Sequence, residues 1–181
     1  QFLPKSWLGL TYFDLDKRHL LTEGIVDENV DNGHVQSRGV ELELQHQFTD
    51  KLRVNANYTY TDAEIVESEV EDKGARLKNI PKHTANLSAD YQFDLAGYDA
   101  GLVGNINYYS KRSANYIDNE TSLPDFTVVN IGGYVQLRPD LRAQLNIDNL
   151  FDQDYYVASY TNYWVQAGEP LKATLSLNWK F

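Results

Sequence analysis

Five aromatic side chains crowd into ten positions near the end of the chain: Tyr155, Tyr156, Tyr160, Tyr163 and Trp164. Each joins a flat apolar ring to a hydroxyl or indole N–H, a combination that packs against a ligand and also orients it. The competing role is anchorage at an interface, or packing within a loop. Tyr155 and Tyr156 adjoin a regular segment and are assigned to that role, which leaves Tyr160, Tyr163 and Trp164 as ligand candidates. A second set, Lys111, Arg112 and Tyr116, is both basic and aromatic and suits an anionic ligand, against the alternative of a solvated loop. Glu64, Glu67, Glu69, Glu71 and Asp72 offer the oxygens that Ca²⁺ takes. They lack the ligand spacing and turn glycine of a dedicated loop, and Val66 and Val70 interrupt them, so a solvated acidic loop is expected. His19, His34, His46 and His83 are scattered, and only His34 lies where a haem ligand would be placed. There is no cysteine, and no nucleophile, base and acid come together, so neither a thiolate site nor catalysis is expected.

The bulk composition says little about what positions these residues. The chain has 181 residues, room for one domain or a small membrane barrel, and is rich in Tyr, Phe, Asn and Gln. A net charge of −10 argues against nucleic acid, whose recognition leans on a basic face. The absence of methionine implies a processed chain or a piece of a longer one. Mean hydropathy is −0.52, and no apolar run approaches the roughly 20 residues of a membrane helix. Barrel strands would escape such a scan, because they alternate lipid-facing and lumen-facing residues.

That alternation is present. Val40, Leu42, Leu44 and Phe48 fall on one face, and Glu41, Glu43, Gln45 and Gln47 on the other. After Thr49-Asp50-Lys51, Leu52, Val54, Ala56, Tyr58 and Tyr60 resume the apolar face, which predicts a hairpin. Similar strands are predicted at 84–93, 100–108, 127–137, 141–148 and 171–181, with a less regular one near Ser6–Asp16. Eight antiparallel strands result.

A soluble sandwich also alternates, but three features point to a transmembrane antiparallel β-barrel. Tyr58, Tyr60 and Tyr108 mark one end of the strands and Phe48, Tyr91, Phe93, Trp179 and Phe181 the other, like two interfacial girdles. Connections alternate between tight turns near 49–51, 94–99 and 138–140 and long polar loops at about 17–35, 62–82, 110–125 and 150–170. The polar face is mostly Asn, Gln, Thr and Ser, which suits a hydrated lumen. Short turns are periplasmic in such barrels, so both ends of this chain are expected on the periplasmic side.

The run Asn149-Leu150-Phe151-Asp152-Gln153-Asp154-Tyr155-Tyr156 resembles the N-L-F-D-x-x-Y-Y signature of TonB-dependent outer-membrane receptors. The turn Gly168-Glu169-Pro170 and the end Trp179-Lys180-Phe181 follow in that family's order. Upstream, Gly39-Val40-Glu41-Leu42-Glu43 is similar to its G-x-E-x-E strand, and Asn79-Ile80-Pro81-Lys82-His83 to its N-x-P-x-H strand entry. The match covers roughly residues 36–181. Leu171 stands where the family usually has Arg, and Ser176 where its terminal strand usually has Gly.

The resemblance implies that residues 1–181 are the C-terminal portion of a 22-stranded barrel, without its plug domain or TonB box. It implies a ferric-siderophore receptor energised through the TonB complex, carrying an Fe(III)-siderophore as cargo and needing no cofactor. It also implies ligand contacts from Tyr116, Tyr160, Tyr163, Trp164 and Arg112, with outer-membrane lipid and lipopolysaccharide around the barrel. Trp179 and Phe181 would form the signal read by the barrel-assembly machinery. Replacing Phe181 with a polar residue should then lower barrel insertion without lowering synthesis; unchanged amounts of heat-modifiable barrel in outer membranes would count against that role. The alternative is a stand-alone eight-stranded barrel with a structural or adhesive role. Such a lumen is packed by its own side chains, and Glu41 and Glu43 would face little positive charge beyond Arg53 and Arg142.

Overall fold

The computed structural model describes residues 5–23, 29–68, 72–114, 121–161 and 164–181; the side chains of 19–23, 29–32 and 161 lie outside that description. Eight long strands form one sheet: β1 (Ser6–Glu23), β2 (Asn29–Gln47), β3 (Leu52–Glu67), β4 (His83–Leu95), β5 (Tyr98–Tyr109), β8 (Phe126–Arg138), β9 (Leu141–Asp148) and β12 (Lys172–Trp179). Each pairs antiparallel with the next, in the order β1-β2-β3-β4-β5-β8-β9-β12. Two small hairpins interrupt the meander: β6 (Arg112–Ser113) with β7 (Ser122–Leu123), and β10 (Tyr156–Thr161) with β11 (Trp164–Ala167).

The register aligns every apolar face. Leu10 opposes Leu42, Leu42 opposes Tyr58, Tyr58 opposes Ala85, and Ala85 opposes Tyr108. Farther along, Leu102 opposes Gly133, Gly133 opposes Leu145, and Leu145 opposes Leu175. A one-residue slip anywhere would send a whole strand's apolar set to the wrong face. Leu42, Leu87, Leu102, Leu145 and Leu175 are 41–72% exposed, so this band has no protein against it. The opposite face carries Asn, Gln, Thr and Ser in equally straight rows.

Turn chemistry accounts for the tight end. Ala96 and Gly97 both adopt positive φ (53° and 89°) between paired Leu95 and Tyr98, the two-residue turn whose twist matches the flanking strands. At the first turn, Thr49 Oγ1 accepts from the amides of Lys51 and Leu52 at 3.2 and 3.0 Å. Pro139-Asp140 closes the third, with a register shift between Gln136 and Arg138.

Most of the loop expected at 17–35 is strand, and the one expected at 62–82 begins as the continuation of β3. β1, β2 and β3 run on past the apolar band, to Glu23, from Asn29 and to Glu67. The alternation changes sense there: Asp14, Asp16, Arg38, Asp62 and Glu64 take the face of the apolar band, while Ala63 and Ile65 lie buried on the other face of β3, and cross-strand charge pairs accompany the continuing backbone ladder. Arg38 Nε lies 3.2 Å from Asp14, His34 Nε2 lies 2.7 Å from Asp16, and Gln36 donates to Asp14 at 3.0 Å. Hydrogen bonds from His34, then from Arg18, hold the Asp16 carboxyl below its ordinary pKa of 3.8. A depressed pKa stabilises the folded form above the ordinary value and stops doing so as pH falls through the depressed one. Amide-exchange protection at Lys17 and Val35, corrected for intrinsic rates, should therefore hold from neutrality to roughly pH 4 and drop below it. In an Asp16→Asn variant that drop should vanish.

The sheet is open. Among the described residues β1 and β12 each have a strand on one side only. A closed barrel of eight strands would pair them with each other, and they do not pair.

Candidate functional site

The connections at the long-loop end fold back over the polar face and cover a pocket of about 500 Å³. Its floor is built by strand register: Tyr109 of β5 stands beside Phe126 of β8, and Asn107 beside Val128 in the next rows. Below them an amide chain crosses the strands: Asn86 donates to Asn107 at 2.5 Å, Asn107 donates to Asn105, and Asn130 donates to Asn105 at 3.4 Å. Asp148, Glu169 and Lys172 add charge to the pocket wall.

Three residues tie the covering segments together. Asn79, at a positive φ of 64°, pairs with Ser159 as a strand would, donating to its carbonyl at 2.8 Å and accepting from its amide at 2.7 Å. Its own amide donates to Ser113 O at 2.9 Å, so one asparagine joins the 72–82 segment to both small hairpins. Arg112 is 2% exposed, and its guanidinium donates to Pro124 O, Tyr156 O and Val157 O while lying 5.2 Å from the Phe126 ring centroid. Burial pulls its pKa down from the ordinary guanidinium value. Asn149, also 2% exposed, has φ 49°; it donates to Gln153 O and Glu169 O and accepts from the Gln153 amide, all at 2.9–3.0 Å. Its amide donates to Asn130 Oδ1 at 2.9 Å, and Asp152 Oδ1 accepts from the Leu171 amide at 2.9 Å. The Asn-Leu-Phe-Asp run is thus a backbone lock between β9 and β12.

The sequence candidates are distributed accordingly. Tyr160 and Trp164 lie on one hairpin, β10–β11, with ring centroids 5.0 Å apart, and are 51% and 65% exposed. Tyr160 Oη donates to Gln166 at 3.1 Å. Arg112, expected to meet a ligand, is instead enclosed, with Nη1 and Nη2 given to backbone carbonyls. Tyr116 and Tyr163 lie outside the described residues. Tyr155, expected in a girdle, packs on the polar face, 4.6 Å from Phe126, which itself stacks on Tyr109 at 4.9 Å. Trp179 lies on the apolar face and donates from Nε1 to Asp140 at 2.7 Å, and Phe181 is fully exposed. Among the described residues no three His, Asp or Glu side chains converge as metal ligands, and Glu69 and Glu71 lie outside them. Asn79 and Asn149 lie in the N-x-P-x-H and N-L-F-D motifs, whose spacing alone does not disclose that they bind other loops. Gly39, in the G-x-E-x-E strand, is needed for contact: a Cβ there would lie 2.2 Å from Tyr60 O and 2.3 Å from the Phe13 ring.

A family profile described as TonB dependent receptor-like, beta-barrel, matches residues 1–150. The chain belongs to the TonB-dependent receptor β-barrel family. Its likeness to individual receptors is extensive on this side and partial on theirs. The metal-pseudopaline receptor CntO of Pseudomonas aeruginosa is 36% identical over 177 residues, covering 94% of this chain and 25% of that protein. The ferrichrome outer membrane transporter/phage receptor of Escherichia coli is 29% identical, over 84% of this chain and 21% of its own. The structure of BauA, the ferric preacinetobactin receptor of Acinetobacter baumannii, superimposes with a TM-score of 0.81 at 25% identity, over 99% of this chain and 28% of that one. The ferric yersiniabactin uptake receptor FyuA of Yersinia pestis has the same fold, with a TM-score of 0.85 at 17% identity. The chain spans about a quarter of the length of the receptors it matches. TonB-dependent receptors are outer-membrane transport proteins and not enzymes, and the exposed leucine band is the lipid-facing surface such a barrel needs.

Proposed function

We propose that this chain is the C-terminal part of the barrel of a TonB-dependent receptor that takes up a siderophore-type metal chelate, with a ferric siderophore as its cargo. The observation that carries the proposal is the open eight-stranded sheet with two unpaired edge strands. A sheet edge left bare in hydrocarbon exposes unsatisfied N–H and C=O groups and does not persist there. Further strands therefore complete the wall, and about a quarter of a receptor's length is what eight of 22 strands with their loops would occupy. The stand-alone eight-stranded barrel needs β1 to meet β12, and is set aside.

In this reading the short turns and the C-terminus face the periplasm, and the long loops and hairpin β10–β11 face outward among lipopolysaccharide. A plug domain fills the lumen and presents a TonB box to the TonB complex. The apolar band meets lipid, and Trp179 and Phe181 direct assembly. Tyr160 and Trp164 offer two exposed, contacting rings on one hairpin, which suits one face of a chelate. Tyr116 and Tyr163 join them as ligand candidates, while Arg112 acts by holding that hairpin in place.

Uptake of isotope-labelled ferric chelates by cells carrying the full receptor tests the proposal. Accumulation should stop when TonB is removed, and a Tyr160→Ala, Trp164→Ala double variant should raise the half-saturating chelate concentration roughly tenfold, about 1.4 kcal/mol. TonB-independent accumulation, or an intact receptor mass near 20.7 kDa, would defeat it. Accumulation of chelates of other metals, with none of iron, would replace iron as cargo while keeping the receptor.

A further inference from the structure

The lipid-facing band is not uniform. β5 and β8 bring Gly104 and Gly133 to the apolar face, opposite Ile131 and Leu102 respectively. A Cβ at Gly104 would meet nothing within 4 Å, and one at Gly133 would meet Leu102 Cδ2 at 3.2 Å. The two missing side chains deepen an apolar groove of about 670 Å³, walled by Tyr91 and Phe93 on one flank and by Leu145 and Leu175 on the other. From the Ala100 row to the Gly104 row it runs along the strands for roughly 14 Å.

A cation stands at its short-turn end. The register shift after Gln136 brings Arg138 to the same face, where its guanidinium lies 5.7 Å from the Trp179 ring centroid. Arg138 Nη2 is 3.3 Å from Asp140, whose carboxylate also accepts from Trp179 Nε1, and the arginine side chain stays 56% exposed. Arg138 pairs with Leu141, one pleat beyond the Val135–Ala143 row that lines the groove. A guanidinium beside an interfacial tryptophan, with an apolar channel leading from it toward mid-membrane, matches a phosphate joined to a hydrocarbon chain.

We propose that this groove seats one acyl chain of an anionic phospholipid of the periplasmic leaflet, with its phosphate on Arg138. The inference rests on the sidedness given under Proposed function, which puts the short turns in that leaflet. Gly104 and Gly133 serve to admit the chain, where leucine would otherwise fill the space.

The test uses the full receptor reconstituted with phosphatidylglycerol and phosphatidylcholine, washed in detergent and weighed by native mass spectrometry. Wild-type barrels should retain phosphatidylglycerol in preference to phosphatidylcholine. Gly104→Leu, whose Cβ would meet nothing within 4 Å, should cut total retention roughly tenfold, since two buried methylenes already account for that factor. Arg138→Gln should erase the preference between the two lipids. Equal retention by wild type and Gly104→Leu, or an unchanged preference in Arg138→Gln, overturns the proposal. Lipopolysaccharide retained from native membranes at the same groove overturns it too, and reverses the sidedness. Chelate uptake by the same variants is a separate readout: lipid retention lost with uptake intact speaks only to the groove.

Discussion

An Asn149→Ala receptor should unfold with about 3–4 kcal/mol less stability than the parent. The side chain makes three hydrogen bonds inside the protein, two donated to Gln153 O and Glu169 O and one accepted from the Gln153 amide. Each contributes about 1 kcal/mol when its partners cannot turn to water. The residue also sits at φ 49°, where alanine pays about 1 kcal/mol that asparagine largely avoids. Asn149→Gly separates the two effects, since glycine accepts the backbone angle and still forfeits the three bonds. Chemical unfolding of the full receptor in lipid vesicles reads the difference. A glycine variant as stable as the parent would mean that the hydrogen bonds carry nothing and that only the backbone angle matters.

Arg112→Ala should act locally and strongly. Its removal strands the carbonyls of Pro124, Tyr156 and Val157 that the guanidinium holds together and takes the cation from the Phe126 ring. A loss of about 3 kcal/mol confined to this corner corresponds to roughly a hundredfold rise in local opening. Limited proteolysis within 110–125 and 150–170 should speed up by that factor, while heat-modifiability of the barrel stays as it was. Arg112→Lys should recover only part of the protection, because one ammonium cannot reach the carbonyls that the planar fork spans. Cleavage at the parental rate in both variants would show that the hairpins are held without it. Chelate uptake should fall with the loss of protection, since Tyr160 and Trp164 ride on the hairpin that Arg112 holds.

These two residues differ in how visible they were. Asn149 sat inside a recognisable run, so its position was marked even though its role was not. Arg112 reads from its charge as a ligand contact, and charge gives no sign that its guanidinium is held by backbone carbonyls. An arginine on a loop looks the same in sequence whether it faces solvent or lies beneath another loop. Only the fold-back of hairpin β10–β11, 44 residues later, encloses it. Asn79 is a stronger case, since its partner Ser159 lies 80 residues away.

The sequence by itself determined the wall. Side chains along a strand alternate with a period of two, so the apolar face, the polar face, the eight strands and the tight turns were legible from neighbours one and two positions apart. Register followed, because any slip would bury polar groups in lipid. Strand ends were less legible: beyond the apolar band its face turns charged on β1, β2 and β3 (Asp14, Asp16, Arg38, Asp62, Glu64), and the ladder continues on backbone bonds that leave no mark in composition. What only the tertiary structure decided was the roof over the pocket and the openness of the sheet. The roof depends on contacts between segments tens of residues apart, satisfied through backbone carbonyls that every residue possesses. Openness depends on whether β1 reaches β12, a matter of strand tilt and curvature summed over eight strands, which no local pattern encodes.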